Sequence, residues 1–419
     1  MKAMENKLSL WVIYGKAGSG KTTRMIELID KAKDYMVLAP TNAAVENIYT
    51  LACESLSKQP KRDRYKTVYS FFRIDYESGT ILGAQYYPST LFIDEFGLMD
   101  KNLFKKCVLN AERNGVTNMV ICGDVLQLNP IYDGKQFISM NKLKRLNTQY
   151  ANIVKRVNGS VSEVLYPSVV EHIHLNIFGM KLIRNAKLTP MTTNKRANDK
   201  IKTILSNVYA GNVEFDYKFV EFYDLDKLIV DDDYVFIASK YSILQQVYDL
   251  IYENKLKRMD AIVIEQSASL KTSYKRLYLI PGMRIITCET VKNSYINGEE
   301  LIFTGNVEVQ GLKCIQPLTN EVVYVRKAKD DFDNEFYPIT PAYLLSVHKS
   351  QGRTIEKVIV CIDNMFEISM LYTAITRSKS ELVFYSKEVR NERVGKLIES
   401  AFIPEFKQLN LMANYMYCK

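Results

Sequence analysis

A complete G-x-x-x-x-G-K-[ST] pattern occupies residues 15–22 of the 419-residue chain, between a short apolar run and a segment with helical spacing. Its glycines let backbone N–H groups turn inward on a polyphosphate, and the helix that follows adds positive potential at its N-terminus. Lys21 would reach the β- and γ-phosphates, and Thr22 would hold Mg²⁺. The predicted ATP contacts here are Gly15, Ala17, Gly18, Ser19, Gly20, Lys21, Thr22 and Thr23. The sequence therefore predicts a nucleotide-binding chain.

An acidic pair, Asp94-Glu95, follows the apolar run at residues 91–93. Such a string is by itself more often a solvated strand end, but downstream of a phosphate-binding loop it is typical of a Walker B motif. Asp94 would then hold Mg²⁺, usually through water, and Glu95 would polarise the attacking water. Gln127 comes after another apolar strand, where a neutral side chain could sense a γ-phosphate.

The segments that carry these residues predict an α/β fold with parallel sheets. Apolar runs at residues 11–14 and 35–39 are each followed by an amphipathic helix. Repeated strand–loop–helix units favour a parallel sheet that binds ligands at the carboxyl ends of its strands. A second α/β unit is predicted to start near residue 189. Short alternating strands with turns at 270–335 indicate a small β-rich insert.

Composition favours an intracellular protein of the cytoplasm or nucleus. The net charge of +9 permits a nucleic-acid partner without establishing one. Seven dispersed cysteines without a C-x-x-C pair indicate reduced thiols, and with only three histidines there is no zinc-site spacing. No run approaches 18 uncharged apolar residues and a cleaved signal peptide is not indicated, so we expect neither membrane association nor secretion. The compact length and the abundance of Lys, Asn and Ile would suit a virus or phage.

Seven motifs in a fixed order resemble those of superfamily one helicases, and the B subgroup with RecD and the phage Dda helicase fits best. The resemblance extends from residue 12 to about residue 386. Its most specific strings are V-H-K-S-Q-G at residues 347–352 and L-Y-x-A-x-T-R at residues 371–377. The remaining motifs are residues 15–22 (I), 39–44 (Ia), Asp94-Glu95 (II), Gly123-Asp124 with Gln127 and Pro130 (III), and a fourth that ends in Arg196.

The resemblance implies a motor of two RecA-like domains with ATP and Mg²⁺ in the cleft between them. Residues 1–188 would form the first domain, and residues 189–251 together with 340–419 the second. The implied catalytic residues are Lys21, Asp94, Glu95 and Gln127 from the first domain and, as arginine fingers from the second, Arg196 and Arg377. Gly352 would add a further ATP contact.

The same resemblance implies that single-stranded DNA lies across both domains. Its phosphates would be held by Thr41, Asn42, Thr67, Ser346, His348 and Lys349, with a structural role for His348 as an equal alternative. Contacts of this kind are independent of base sequence and sensitive to salt. The implied activity is ATP-dependent translocation from 5′ to 3′ with unwinding of duplexes at junctions.

Three segments lie outside the motifs. A hairpin predicted at residues 73–87 fits the subgroup's duplex-splitting pin, although a plain surface hairpin is the alternative. Residues 252–339 fit the subgroup's barrel-like accessory domain. Residues 131–188 form a longer segment than the motifs require, and could provide a surface for a protein partner or an extension of the nucleic-acid track.

Two other functions fit the same motifs. One is a superfamily one helicase that acts on RNA, and the other is a nucleotide-gated nucleic-acid-binding subunit of a larger complex. The family usually carries an adenine-reading glutamine upstream of motif I, but the fourteen residues before Gly15 contain none. The sequence therefore does not indicate which nucleotide base the site selects.

Overall fold

The computed structural model describes residues 8–75, 80–99, 101–124, 127, 186–191, 193–210, 218–266, 274–291, 294–317, 319–330, 332–365 and 368–387. These residues fall into two compact units. The first is drawn from Met1–Phe215 and Glu367–Thr376, and the second from Asp216–Phe366 and Arg377–Arg393. None of the helices in the described ranges is both long enough and apolar enough to cross a membrane.

The elements are numbered along the chain. The strands are β1 (Ser9–Gly15), β2 (Tyr35–Ala39), β3 (Tyr65–Thr67), β4 (Thr90–Ile93), β5 (Asn118–Gly123), β6 (Lys187–Met191), β7 (Val235–Ala238), β8 (Ile262–Glu265), β9 (Arg276–Leu279), β10 (Arg284–Thr287), β11 (Glu300–Glu308), β12 (Gly311–Ile315), β13 (Val322–Val325), β14 (Ala328–Lys329), β15 (Glu335–Phe336), β16 (Ile339–Pro341), β17 (Leu344–Ser346), β18 (Ile355–Cys361) and β19 (Ser378–Tyr385). The helices are α1 (Lys21–Ile29), α2 (Asn42–Ser55), α3 (Val68–Phe72), α4 (Lys101–Arg113), α5 (Asp199–Ala210), α6 (Leu225–Val230), α7 (Tyr241–Asn254), α8 (Val347–Ser350) and α9 (Ile368–Ile375).

The first unit is built on a six-stranded parallel sheet in the order β3-β2-β4-β5-β1-β6. Its strands are apolar along their length because both faces are covered, as in other parallel sheets. Met25 and Ile26 of α1 pack with Ile48 of α2 against Val37 of β2 in one buried cluster. In this order, β4, β5, β1 and β6 are neighbours, so the segments that follow them meet along one edge of the sheet.

The second unit contains a four-stranded parallel sheet, β17-β7-β18-β19, and a five-stranded antiparallel sheet, β13-β12-β11-β10-β16. One apolar cluster includes Phe236 and Ile359 of the parallel sheet and Ile285 and Phe303 of the antiparallel sheet. The predicted α/β class and β-rich insert are therefore confirmed, and the insert shares its core with the second parallel sheet. A barrel-like closure is not confirmed, since β13 and β16 are the free edges of this sheet among the described strands.

The boundary between the units lies later than residue 188, where the sequence predicted it. Strand β6 pairs in parallel with β1, with Ile13 opposite Thr189 and Gly15 opposite Met191. Residues 187–191 thus complete the first sheet, and the first unit continues to Phe215. The strand carries Pro190, a residue that sheets tolerate at their edges. Proline makes such a strand resemble a linker in the sequence.

The predicted hairpin is present at its base. Ile74 and Ile81 form an antiparallel bridge, and the N–H of Leu82 donates to the carbonyl of Arg73 at 3.2 Å. The tip of the hairpin, residues 76–79, lies outside the described residues, as does the segment 131–185.

Candidate active site

The phosphate-binding loop connects β1 to α1 in the first unit. Gly20 caps the helix in the left-handed region, with φ 85°, a conformation that glycine adopts without strain. The amine of Lys21 donates to the carbonyl oxygens of Gly15 at 2.8 Å and Lys16 at 2.9 Å. This lysine is largely buried and lies over the loop, where a phosphate oxygen could replace the carbonyls as its acceptor.

The acidic pair follows β4 and faces the start of α1. The hydroxyl of Thr22 donates to Oδ2 of Asp94 at 2.9 Å, and the N–H of Glu95 donates to Oδ1 at 2.9 Å. Burial and, secondly, the charge of Glu95 raise the pKa of Asp94 to about 7. The two oxygens of Thr22 and Asp94 are hard ligands of the type that Mg²⁺ prefers. A cation at this pair would hold Asp94 ionised.

Arg196 lies in the same unit as the loop, and not in the second unit as the sequence predicted. It follows β6, the strand beside β1, so the chain brings it directly to the loop. Oδ1 of Asn194 accepts the N–H groups of Arg196 at 3.0 Å and Ala197 at 3.2 Å, which fixes this turn. The N–H of Lys195 donates to the carbonyl of Gly18 at 2.7 Å and ties the turn to the phosphate-binding loop.

The charge of Arg196 is directed toward the acidic pair. Burial lowers the pKa of its guanidinium, while attraction from Glu95 and Asp94 works in the opposite direction. In the described part of the chain, Nη1 of Arg196 is buried without a hydrogen-bond partner. A buried cation without a full set of hydrogen-bond acceptors lowers the stability of the fold. Such a group is typical of a site that binds an anion.

Of the other buried polar atoms that lack a partner within the described ranges, two lie near the site: Oγ of Ser19, on the loop, and Oε1 of Gln127, after β5. Together with Arg196 they follow β1, β5 and β6, which are adjacent in the sheet. Native proteins satisfy most buried polar atoms, so such a group of exceptions indicates an absent ligand. The donors and acceptors fit a polyphosphate and a water molecule.

Tyr372, for which the sequence predicted no role, takes part in this site. Tyr372, on α9, accepts the N–H of Ala17 at 3.1 Å and donates its hydroxyl proton to Oδ2 of Asp124 at 2.7 Å. Both Tyr372 and Asp124 are buried. The string at residues 371–377 contains Tyr372 and motif III contains Asp124, but nothing in their spacing indicates that the two side chains are in contact.

The predicted nucleic-acid contacts of the first unit are helix caps at adjacent strand ends. Oγ1 of Thr41 accepts the N–H of Ala44 at 3.2 Å, and Oγ1 of Thr67 accepts the N–H of Ser70 at 3.0 Å. These caps follow β2 and β3, and Asn42 is the first residue of α2. A hydroxyl that accepts a bond in a cap still has its own proton to donate to a phosphate.

The second unit repeats this arrangement with Ser346, which caps α8 and accepts the N–H of Lys349 at 3.2 Å. The amine of Lys349 lies 3.5 Å from Sγ of Cys288. Burial lowers the pKa of His348, which favours the structural role that the sequence left open.

The remaining predicted residues also lie in the second unit. Arg377 is almost fully buried, and its Nη1 donates to the carbonyl of Arg353 at 3.3 Å. Gly352 follows α8 with φ 76°.

Comparison with known proteins agrees with these motifs. The family model of an AAA domain matches residues 1–161, and that of a UvrD-like helicase C-terminal domain matches residues 341–385. The ATP-dependent DNA helicase Pif1 of Campylobacter jejuni is 24% identical over 330 residues, covering 69% of this chain and 67% of that protein. The ATP-dependent DNA helicase PIF1 of Danio rerio is 22% identical over 323 residues, covering 69% of this chain and 45% of that protein.

The solved structure of the Bacteroides Pif1 helicase in complex with ADP-AlF3 and single-stranded DNA shares the fold of this chain. The TM-score is 0.58 at 18% identity, and the match covers 98% of this chain and 94% of the other. In its sequence motifs and fold the chain resembles the Pif1-like superfamily one helicases. It spans about half to two thirds of the length of the two relatives from Campylobacter and Danio.

For this Pif1-like helicase, the first unit alone supplies most of the groups that phosphoryl transfer requires. Lys21 and Arg196 provide positive charge, Thr22 and Asp94 provide oxygen ligands, and Glu95 provides a carboxylate beside them. Catalysis of this reaction depends almost entirely on positioning and on charge stabilisation. The site is therefore suited to hydrolysis of a nucleoside triphosphate.

Proposed function

We propose that this Pif1-like helicase couples ATP hydrolysis to 5′-to-3′ movement along single-stranded DNA, and that it thereby unwinds duplex DNA at junctions. Its relatives from Campylobacter and Danio are ATP-dependent DNA helicases, which supports ATP as the nucleotide that is hydrolysed and DNA as the substrate. The structural relative bound to ADP-AlF3 and single-stranded DNA supports both ligands.

The observation that carries the proposal is the set of buried polar atoms without partners around the phosphate-binding loop, namely Ser19 Oγ, Gln127 Oε1 and Arg196 Nη1. Each fits a different part of the reaction. The hydroxyl of Ser19 would donate to a phosphate oxygen, the amide of Gln127 would orient a water near the γ-phosphate, and Arg196 would bind the charge that develops on the transferring group.

Mg²⁺ would be held by Thr22 and Asp94, and it would supply positive charge that neutralises the phosphate oxygens. Glu95 would accept a proton from the attacking water, because its carboxylate lies beside Asp94 and takes no part in the Thr22–Asp94 hydrogen bond. Lys21 would exchange its two carbonyl acceptors for phosphate oxygens.

DNA would be held through its phosphates by the capping hydroxyls Thr41, Thr67 and Ser346, with Asn42 and Lys349 beside them. No base edge is read by such contacts, so binding would be independent of sequence and would weaken with salt.

The test uses duplexes that carry a 5′ or a 3′ single-stranded tail, made of DNA and of RNA, with Mg²⁺ and ATP. We expect unwinding of the 5′-tailed DNA duplex only, and ATP hydrolysis that single-stranded DNA stimulates. A Lys21→Ala variant is the control, since it removes the main phosphate ligand. Unwinding of only the 3′-tailed substrate would overturn the polarity. Stimulation by RNA alone would replace DNA by RNA, and no turnover above the Lys21→Ala level would indicate a subunit that requires partners.

A further inference from the structure

A second basic site lies in the first unit, at the outer edge of its sheet. A cavity of about 390 Å³ is lined by residues that precede β2, β3 and β4 and by residues of α3. Four of its lining side chains are basic: Lys61, Arg64, Lys66 and Arg73. Only two, Asp34 and Asp63, are acidic. The cavity therefore carries an excess of two positive charges and has the volume of a small-molecule site.

The basic side chains of the cavity are not ion-paired within the described ranges. None of the four has a carboxylate oxygen within 4.0 Å in the part of the chain that the structure describes. Arg62, from the same run of residues, is instead ion-paired with Glu46 of α2. Four like charges around one cavity repel one another, and an anion in the cavity would relieve that repulsion.

The acidic residue Asp34 is already committed to other partners. Its Oδ1 accepts the hydroxyl of Tyr86 at 2.6 Å, and its Oδ2 accepts the N–H of Ser89 at 2.7 Å. Arg64 is held in place, because its guanidinium lies 4.5 Å above the centre of the Tyr35 ring. Arg64 also donates to the carbonyl of Lys33 at 3.4 Å, so these contacts order the walls and leave Lys61, Lys66 and Arg73 as the available basic groups.

The cavity extends from the predicted DNA contact Thr67, which follows Lys66 and whose hydroxyl accepts the N–H of Ser70, to the amino end of β2. Asp34 and Tyr35 stand at the start of β2, while Thr41 follows its end, and the strand between them spans about 13 Å. A phosphate held by charge-assisted hydrogen bonds of about 3 Å cannot contact both ends. A phosphate beside Asp34 and Tyr35 therefore belongs to a different nucleotide from a phosphate at Thr41.

We propose that this cavity binds a nucleotide unit of single-stranded DNA, with the phosphate among Lys61, Lys66 and Arg73 and the base against Tyr86. Tyr86 is 61% exposed although its hydroxyl donates to Asp34, so this wall of the cavity presents an aromatic residue to solvent. Basic side chains around an exposed aromatic ring are the combination that binds single strands without regard to sequence. The inference rests on the proposed function, which supplies the strand.

The experiment measures binding of labelled oligothymidylates of increasing length to the full chain by fluorescence anisotropy at several salt concentrations. The test variant is Lys61→Gln/Lys66→Gln/Arg73→Gln. The matched control is Lys58→Gln/Arg62→Gln/Arg113→Gln, which removes the same charge from exposed positions of the same unit that do not line the cavity. Melting temperatures establish that both variants are folded.

We expect the test variant to bind long oligothymidylates at least tenfold more weakly than the control. The slope of log K against log salt should fall by about 0.7 for each DNA phosphate that the substitutions leave without a basic side chain. The shortest oligomers that stimulate ATP hydrolysis should bind equally to all proteins. Equal binding of long oligomers by the test and control variants would overturn the inference. Failure of the proposed function is a distinct result, because then the wild-type protein would neither bind DNA nor respond to it.

Two further binding measurements identify the ligand of the cavity. Tyr86→Ala should weaken binding of long oligomers about fivefold or more because the base can no longer stack, whereas Tyr86→Phe should bind them as the wild type does. ADP is the probe for a free nucleotide, measured in the Lys21→Ala background so that the phosphate-binding loop contributes little. ADP binding that persists in Lys21→Ala and disappears with the cavity substitutions would assign the cavity to a free nucleotide and overturn its assignment to a strand.

Discussion

The hydroxyl of Tyr372 joins Asp124 to the phosphate-binding loop, since it donates to Oδ2 of Asp124 at 2.7 Å while it accepts the N–H of Ala17 at 3.1 Å. Both bonds lie in the buried interior of the first unit. The charge of Asp124 also acts on Lys16 and Arg196. Tyr372 is therefore a positioning residue, which holds one acid and one loop amide in fixed relation to two cations.

Tyr372→Phe should weaken nucleotide binding and slow hydrolysis. The change leaves a buried amide and a buried carboxylate each short of one partner, which costs about 1–3 kcal/mol. We expect ADP to bind roughly tenfold more weakly, because a loss of about 1.4 kcal/mol is a factor of ten. Titration with a fluorescent ADP and steady-state ATP hydrolysis measure the two effects.

Tyr274→Phe is the matched control for this change. It also removes a buried tyrosine hydroxyl, one that donates to the carbonyl of Leu344 at 3.1 Å in the second unit. Both variants should melt at a lower temperature, but only Tyr372→Phe should bind ADP more weakly. Equal ADP affinity in the two variants would show that Tyr372 has only a structural role.

Arg196→Ala should abolish most turnover without destabilising the protein. Burial lowers the pKa of this arginine more than the attraction of Glu95 and Asp94 raises it, so the charge is disfavoured in the ligand-free fold. We expect the melting temperature to stay level or rise, and DNA-stimulated ATP hydrolysis to fall by about 10³-fold or more. Arg196→Lys keeps the charge but loses the planar guanidinium with its paired N–H donors, so its rate should lie between those of Arg196→Ala and the wild type. A rate for Arg196→Ala within about tenfold of the wild type would exclude a finger role.

Local motifs were sufficient to predict the loop, the acidic pair and the parallel sheets. Residues 15–22 and Asp94 lie directly after apolar strands, and a pattern of this kind specifies both the element and the chemistry at its end. The resemblance to a known family was confirmed by the comparisons.

What the sequence could not predict depends on contacts between distant residues. Ala17 and Tyr372 are 355 positions apart, and no periodicity reports such a pairing. The family resemblance implied that Arg196 lies in the second domain, whereas the edge strand β6, which contains Pro190, carries it to the loop. The sequence shows only a basic run at Lys61–Lys66. The fold shows that Arg62 is ion-paired with Glu46, whereas Lys61 and Lys66 line a cavity.

His348→Gln should alter the dependence of stability on pH. Burial lowers the pKa of His348 in the folded state below its ordinary value of 6.5, so the unfolded chain binds the proton more readily. The stability that comes from burying the neutral ring is therefore present above pH 6.5 and is lost as pH falls below it. We expect the wild type to lose more melting temperature than His348→Gln between pH 7.5 and pH 5.5. Parallel curves for the two proteins would contradict the prediction.

Gly18→Ala should disable hydrolysis through the turn that carries Arg196. A Cβ at Gly18 would lie 2.5 Å from Oδ1 of Asn194, the atom that holds the N–H groups of Arg196 and Ala197. Gly18 also has φ +74°, so part of the cost is backbone strain of about 1 kcal/mol. Gly115→Ala separates the two effects, because Gly115 has φ +86° and no atom within 4 Å of an added Cβ. Both variants should melt a few degrees below the wild type. Only Gly18→Ala should lose ATP hydrolysis, since only there must the turn move away from the loop; equal rates in the two variants would mean that the position of this turn does not govern the reaction.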